Sequence, residues 1–150
     1  MFSKSCEYAI RAVVFISSRK NDTPIVKINE IAESVEAPAY YTSKILQQLV
    51  KQKIIGSMKG QNGGFYIDEN LKEIRLIDIV NAIDGDSIFN GCGLGLKSCS
   101  ETNPCPLHDR FKQIRSDLKD MLMKTKISDL SENYLNGKST LKKPIGKIRK

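Results

Sequence analysis

Two short helical segments around a tight turn, a glycine-rich hairpin directly behind them, and a later seam of apolar residues three and four apart predict the fold class. It is mainly α with a small β-hairpin wing: a winged helix-turn-helix domain followed by a long dimerisation helix. At 150 residues the chain has room for one core with extensions. The expected divisions are 1–84 for the winged domain, 85–108 for a cysteine-rich loop, 104–135 for the long helix with a short C-terminal helix, and 136–150 for a basic, disordered tail.

The first helix is expected from about Ser5 to Ser18, where Tyr8, Ile10, Val13, Val14 and Phe15 recur at mostly helical spacing and Asn21-Asp-Thr-Pro24 supplies a stop. Ile28, Ile31, Ala32 and Val35 mark a short second helix. A break at Glu36-Ala37 and a proline at 38 then open a third, running to about Gln52. At about 100° per residue, Ile45, Leu46, Leu49 and Val50 gather on one side of this third helix. Tyr40, Lys44, Gln47 and Lys51 lie opposite, with Ser43 and Gln48 flanking. Cationic, amide and aromatic groups in such a row suit contacts to phosphates and base edges, although exposed Lys and Gln are often only a solvated face. Gly56 to Ile67 reads as two short strands around a glycine-rich turn that carries Lys59, the tip of a wing. Leu76, Ile77, Ile79, Val80 and Ile83 give a fourth helix, closed by Asp84-Gly85. Leu107, Phe111, Ile114, Leu118, Met121 and Thr125 form a narrow seam with charged flanks, the pattern of a helix that pairs with a second copy.

The formal net charge of +7 is concentrated at the C-terminal end: Lys138, Lys142, Lys143, Lys147, Arg149 and Lys150 all follow the last acid, Glu132, and leave 18 basic against 17 acidic residues elsewhere. More informative is the span from Ala37 to Ile67, which holds Lys44, Lys51, Lys53 and Lys59 and no Asp or Glu. A stretch so free of acid marks a surface that faces something anionic, and its place on the third helix and wing points to double-stranded DNA.

Three of the four cysteines and the only histidine stand close together, as Cys92, Cys99, Cys105 and His108, among Gly91, Gly93 and Gly95. Thiolates and imidazole on one short loop converge on a metal centre more readily than scattered residues do. The gaps of six, five and two residues match neither paired Cys-x-x-Cys zinc sites nor common ferredoxin runs, so spacing says metal or cluster without choosing. Cys6 reads as a small buried residue.

No apolar run approaches a membrane span, and Glu7 and Arg11 interrupt the apolar start, so the expectation is a cytoplasmic protein with no membrane partner. Neither a P-loop nor a dinucleotide fingerprint is present, so no enzyme and no small-molecule substrate are expected.

With the winged helix, the wing and the cysteine loop in that order, residues 1 to about 135 resemble the Rrf-two (BadM-type) family of bacterial transcription regulators, closest to its IscR-like cluster regulators and NsrR-like nitric-oxide sensors. The likeness rests on Ser3-Lys4 with Tyr8-Ala9, on Tyr41, on Lys59-Gly60 and Gly63-Gly64-Phe65, and above all on the loop ending in His108. It implies a homodimer that binds an imperfectly palindromic operator under the control of an iron-sulfur cluster, sensing cluster status, redox state or nitric oxide. The implied ligands are Cys92, Cys99, Cys105 and His108 around a 2Fe-2S cluster. In NsrR-like members an acidic residue of the partner's first helix completes a 4Fe-4S site, and Glu7 sits at the matching place; His108 and 2Fe-2S are favoured, oxygen being the rarer ligand of such iron. The first gap is six residues where five is usual. A zinc-bound or thiol-switch regulator of the same fold is the alternative. From another class, an iron-sulfur electron-transfer or carrier protein explains the cysteines but neither the wing nor the acid-free stretch.

Overall fold

The computed structural model describes residues 1–142. Helix α1 (Lys4–Ser18) starts where the Ser3 hydroxyl accepts the Cys6 amide at 3.1 Å, and it buries Cys6, Ala9, Val13 and Ile16 completely. Helix α2 (Ile28–Val35) ends at Glu36, whose φ of 56° turns the chain through the left-handed region. Pro38 then caps α3 (Ala39–Lys51), one residue before the helix expected to begin with it. Ile45, Leu46 and Leu49 face the core as their spacing predicts, and Val50 is half-buried.

Strands β1 (Gly56–Met58) and β2 (Gly64–Tyr66) pair antiparallel in the register Gly56↔Tyr66, Ser57↔Phe65 and Met58↔Gly64. The wing gains a third edge that no strand pattern announced: Val26 and Phe65 exchange backbone hydrogen bonds of 2.8 and 2.9 Å. Helix α4 (Leu76–Ile83) lies across α1 and α3, closed at its start by the Asp78 carboxylate accepting the Arg75 amide at 2.8 Å. Its far end is tied twice. Asp84 accepts the Ser3 amide at 2.9 Å, and the Ala82 carbonyl accepts Gln48 and Gln52 at 2.8 and 3.2 Å. A short turn of helix, α5 (Ser87–Asn90), follows and was not expected.

Helix α6 (His108–Lys124) begins at His108 rather than near residue 104, because Cys105 to Leu107 form a turn closed by the His108 amide on the Cys105 carbonyl at 3.0 Å. Of its seventeen residues only His108 and Leu122 are buried. The expected seam is therefore divided. Leu122, not in that seam, is the core contact, with Leu118 beside it half-buried, whereas Ile114 and Met121 are 61% and 46% exposed. The reason is rotation: a helix leaning on α4 through positions 118 and 122 turns 114 and 121 toward solvent. Thr125 lies past the helix end in extended backbone. There Leu76 donates to the Thr125 carbonyl at 2.9 Å and Ile127 to that of Ile74 at 3.0 Å, pinning the end of α6 to the start of α4. Helix α7 (Ile127–Leu135) returns along α1, with Ser17 donating to Ser131 at 3.0 Å and Tyr134 set edge-on to Phe15. Of the expected disordered tail, residues 143–150 lie outside the described residues. Leu141 is half-buried against the core, and its carbonyl accepts Arg11 Nε at 2.9 Å.

Burial of a single leucine at the far end of α6 makes Leu122→Ala costly. Chemical denaturation should show a loss of about 2–5 kcal/mol. A change below about 0.5 kcal/mol would mean that α6 is not seated on α4 through this side chain.

Candidate metal centre and nucleic-acid face

The loop between α5 and α6 folds back on itself so that the three sulfurs of Cys92, Cys99 and Cys105 all lie within 4.8 Å of one another. Cys92 and Cys105 Sγ are 3.6 Å apart, and His108 Nδ1 is 3.2 Å from Cys99 Sγ, so the four donors fall into two close pairs. Backbone geometry explains the convergence. The Cys105 amide points at Cys99 Sγ and the Leu94 amide at Cys92 Sγ, each at 3.4 Å, and Gly95 turns the chain at a φ of 71°. Gly93 lies so close to the Phe111 ring that a β-carbon there would sit 2.5 Å from it, and this contact seats the loop on the first turns of α6. Arg115, further along, donates to the Gly91 carbonyl at 2.6 Å.

The three sulfurs suit a thiophilic metal, whereas His108, close to Cys99, lies outside the group of mutually close donors. With bonds of about 2.3 Å to sulfur, the edge of a tetrahedral site is about 3.8 Å, close to the separation found between Cys92 and Cys105. Glu7 does not belong to the gathered group in this chain; it is half-exposed on α1 and pairs with Lys4 at 3.4 Å. Two polar neighbours had no signal in the sequence. Glu101 reaches Lys112 at 2.6 Å and lies 3.5 Å from His108 Nε2.

Helix α3 presents Tyr40, Lys44, Gln47 and Lys51 to solvent in one row, with Lys44 Nζ 4.5 Å from the centre of the Tyr40 ring. Tyr40 is 74% exposed, unusual for an aromatic side chain. Ser43 is half-buried beside the row, and Lys59 is exposed in the wing turn next to Gly60, whose φ is 102°. Gln48 points elsewhere, since its amide is engaged by the Ala82 carbonyl. Tyr41 faces inward, its hydroxyl on that of Ser5 and its ring edge-on to Tyr8.

A family model described as Rrf2, iron-dependent transcriptional regulator, matches residues 2–133. The chain belongs to the Rrf2 family. It is a transcriptional regulator, not an enzyme. The regulator NsrR of Oceanobacillus iheyensis is 24% identical over 131 residues, 87% of this chain and 88% of that one. IscR of Pectobacterium atrosepticum is 23% identical over 126 residues, 84% and 76% of the two chains. Among solved structures, CymR, the global cysteine regulator of B. subtilis, superposes with a TM-score of 0.70 at 17% identity, covering 88% of this chain and 96% of its own. That likeness establishes the winged-helix fold. Among the described residues no helix is long and apolar enough to cross a membrane.

The thiols of this Rrf2 regulator differ in character. Hydrogen bonds from the Leu96 and Leu94 amides lower Cys92 to about 7. At Cys99 the largest influence, the Cys105 amide, also lowers, but burial and the neighbouring thiols outweigh it and leave the group above its ordinary value. Burial, and then the Asp84 carboxylate, push Cys6 up to about 12. Glu101 is held below the usual carboxylate range by its bond to Lys112 and then by His108. In metal-free protein, iodoacetamide should modify Cys92 first, with a rate half-maximal near pH 7, and Cys6 only after unfolding. Peptide mapping checks the order; native Cys6 reacting as fast as Cys92 contradicts it.

Proposed function

We propose that this chain is a dimeric, DNA-binding regulator whose operator affinity depends on an iron-sulfur centre held by Cys92, Cys99, Cys105 and His108. The observation that carries this reading is the convergence of three sulfurs beside the first turn of α6, with the His108 imidazole 3.2 Å from one of them. When bound, the cluster supplies a centre that responds to oxidants, nitric oxide or iron supply. The rest follows from the chain's own residues. Cys92 and Cys99 belong to a loop that buries little apolar surface, while His108 belongs to α6, so ligation by all four fixes the loop to the helix. Ligation by His108 requires Nδ1 to be unprotonated, and it is Nδ1 that faces Cys99.

The output surface in this reading is the row Tyr40, Ser43, Lys44, Gln47 and Lys51 together with Lys59. The acid-free stretch from Ala37 to Ile67 supports it, because a phosphate backbone would meet no carboxylate there. Gln48 contributes through α4 instead of directly. Exposed Ile114 and Met121 on α6 support pairing of two copies across a two-fold axis, which presents two recognition helices to an imperfect palindrome. The 3.6 Å sulfur edge also suits a single zinc ion, so a zinc-bound regulator of the same fold is the second reading.

Anaerobic purification with iron and sulfide assays separates the two. The iron-sulfur reading expects both elements and a visible chromophore that Cys92→Ala, Cys99→Ala and Cys105→Ala each abolish and Cys6→Ala retains. Zinc without sulfide supports the second reading. Lys44→Ala and Lys59→Ala should each weaken operator binding and reduce its salt slope by about one phosphate contact. Unchanged binding by the double variant, with the fold intact, would remove this face from the model. Ile114→Asp with Met121→Asp should yield monomers by sedimentation, and a stable dimer carrying both changes would place the interface elsewhere.

A further inference from the structure

The geometry points to Glu101 as a positioning residue for His108, anchored by Lys112 and acting on the metal centre through the imidazole ring. This rests on the reading of His108 as a ligand. His108 is only 9% exposed, and its Nε2 is buried without a hydrogen-bond partner among the described residues. A buried ring nitrogen left in that state is costly, so an acceptor facing it bears on which nitrogen carries the proton. That acceptor is Glu101 Oε1, 3.5 Å away and held at 2.6 Å by Lys112 Nζ. Lys112 stands four residues after His108 on α6, one helical turn further along, so a single helix supplies both the ring and the cation that fixes its carboxylate.

The two faces of the ring then have separate tasks. A carboxylate opposite Nε2 favours the proton there, which leaves Nδ1 bare toward Cys99 at 3.2 Å, the state a metal ligand needs. A carboxylate on the distal nitrogen also makes an imidazole a stronger donor, and it ties the Cys99–Cys105 part of the loop to α6 even before metal arrives. Glu101 lies two residues after Cys99, so its distance from the ring is set by the same turn, Ser100 to Asn103, that shapes the thiol cluster; in that turn the Asn103 amide donates to the Ser100 carbonyl at 3.1 Å.

Because the chain holds a single histidine, the ring can be read without ambiguity. Long-range proton–nitrogen NMR on metal-free protein should show Nε2 protonated and Nδ1 bare, with a slowly exchanging Nε2 proton. Glu101→Ala should speed that exchange and mix the tautomers, and Glu101→Gln, which keeps an acceptor, should restore much of the wild-type spectrum. Anaerobic titration with cobalt(II) as the probe metal should give about 10–100-fold weaker binding for Glu101→Ala, with a smaller loss for Lys112→Ala. An unchanged histidine spectrum together with unchanged cobalt affinity in Glu101→Ala overturns the inference. If wild-type protein takes up no cobalt through its thiols, the metal-centre reading itself fails, and the NMR arm still decides whether Glu101 holds the ring.

Discussion

A seventeen-residue helix that buries only its first residue and one near its last is held at two points about 21 Å apart. Everything distinctive in this molecule depends on that constraint. At the far end Leu122 is seated in the core, and a short backbone bridge joins the end of α6 to the start of α4, so that end has one position. At the near end the position of α6 is set by His108, by Phe111 against Gly93, and by Arg115 on the Gly91 carbonyl. These are contacts to a loop rather than to the core, and the loop has little apolar content with which to stabilise itself. Four metal–ligand bonds would change that balance decisively, since each is far stronger than the contacts they supplement.

From this end of α6 a series of direct contacts leads to the proposed DNA face. Helix α6 leans on α4 through Leu118 and Leu122, and α4 receives the amides of Gln48 and Gln52 on its Ala82 carbonyl. Asp84 meanwhile holds the same end of α4 to the start of α1. In the proposed mechanism a shift of α6 against α4 would reach α3 through packed side chains and these two side-chain amides. In a dimer the effect is larger, because the exposed face of α6 would set the separation of two such helices, and operator half-sites demand a fixed spacing.

Much of this was legible in the residues. The periodicity of α1 to α4, the turn at Glu36 and the wing all follow from local chemistry that short peptides already contain, and the group of three cysteines and one histidine stands out by residue type alone. What the sequence left unstated depends on tertiary geometry. The seam from Leu107 to Thr125 looked like one stripe, yet packing on α4 selects Leu122 and leaves Ile114 and Met121 outward, a rotation that spacing cannot specify. Gln48 belongs to the polar side of α3 by angle, but a free carbonyl at the end of α4 claims it. Val26 joins the wing although no alternating pattern surrounds it, and α5 is too short to carry a periodic signal. Glu101 gives no hint of a role until the loop brings it beside His108 and Lys112.

The central claim is that the state of the cysteine and histidine centre alters how the recognition helices meet DNA. The most direct test compares metal-loaded and metal-free protein anaerobically at one salt concentration, against operators selected from a random pool. The proposed mechanism predicts that at least one class of operator is bound with clearly different affinity by the two forms. Equal affinity on every selected operator would contradict the account.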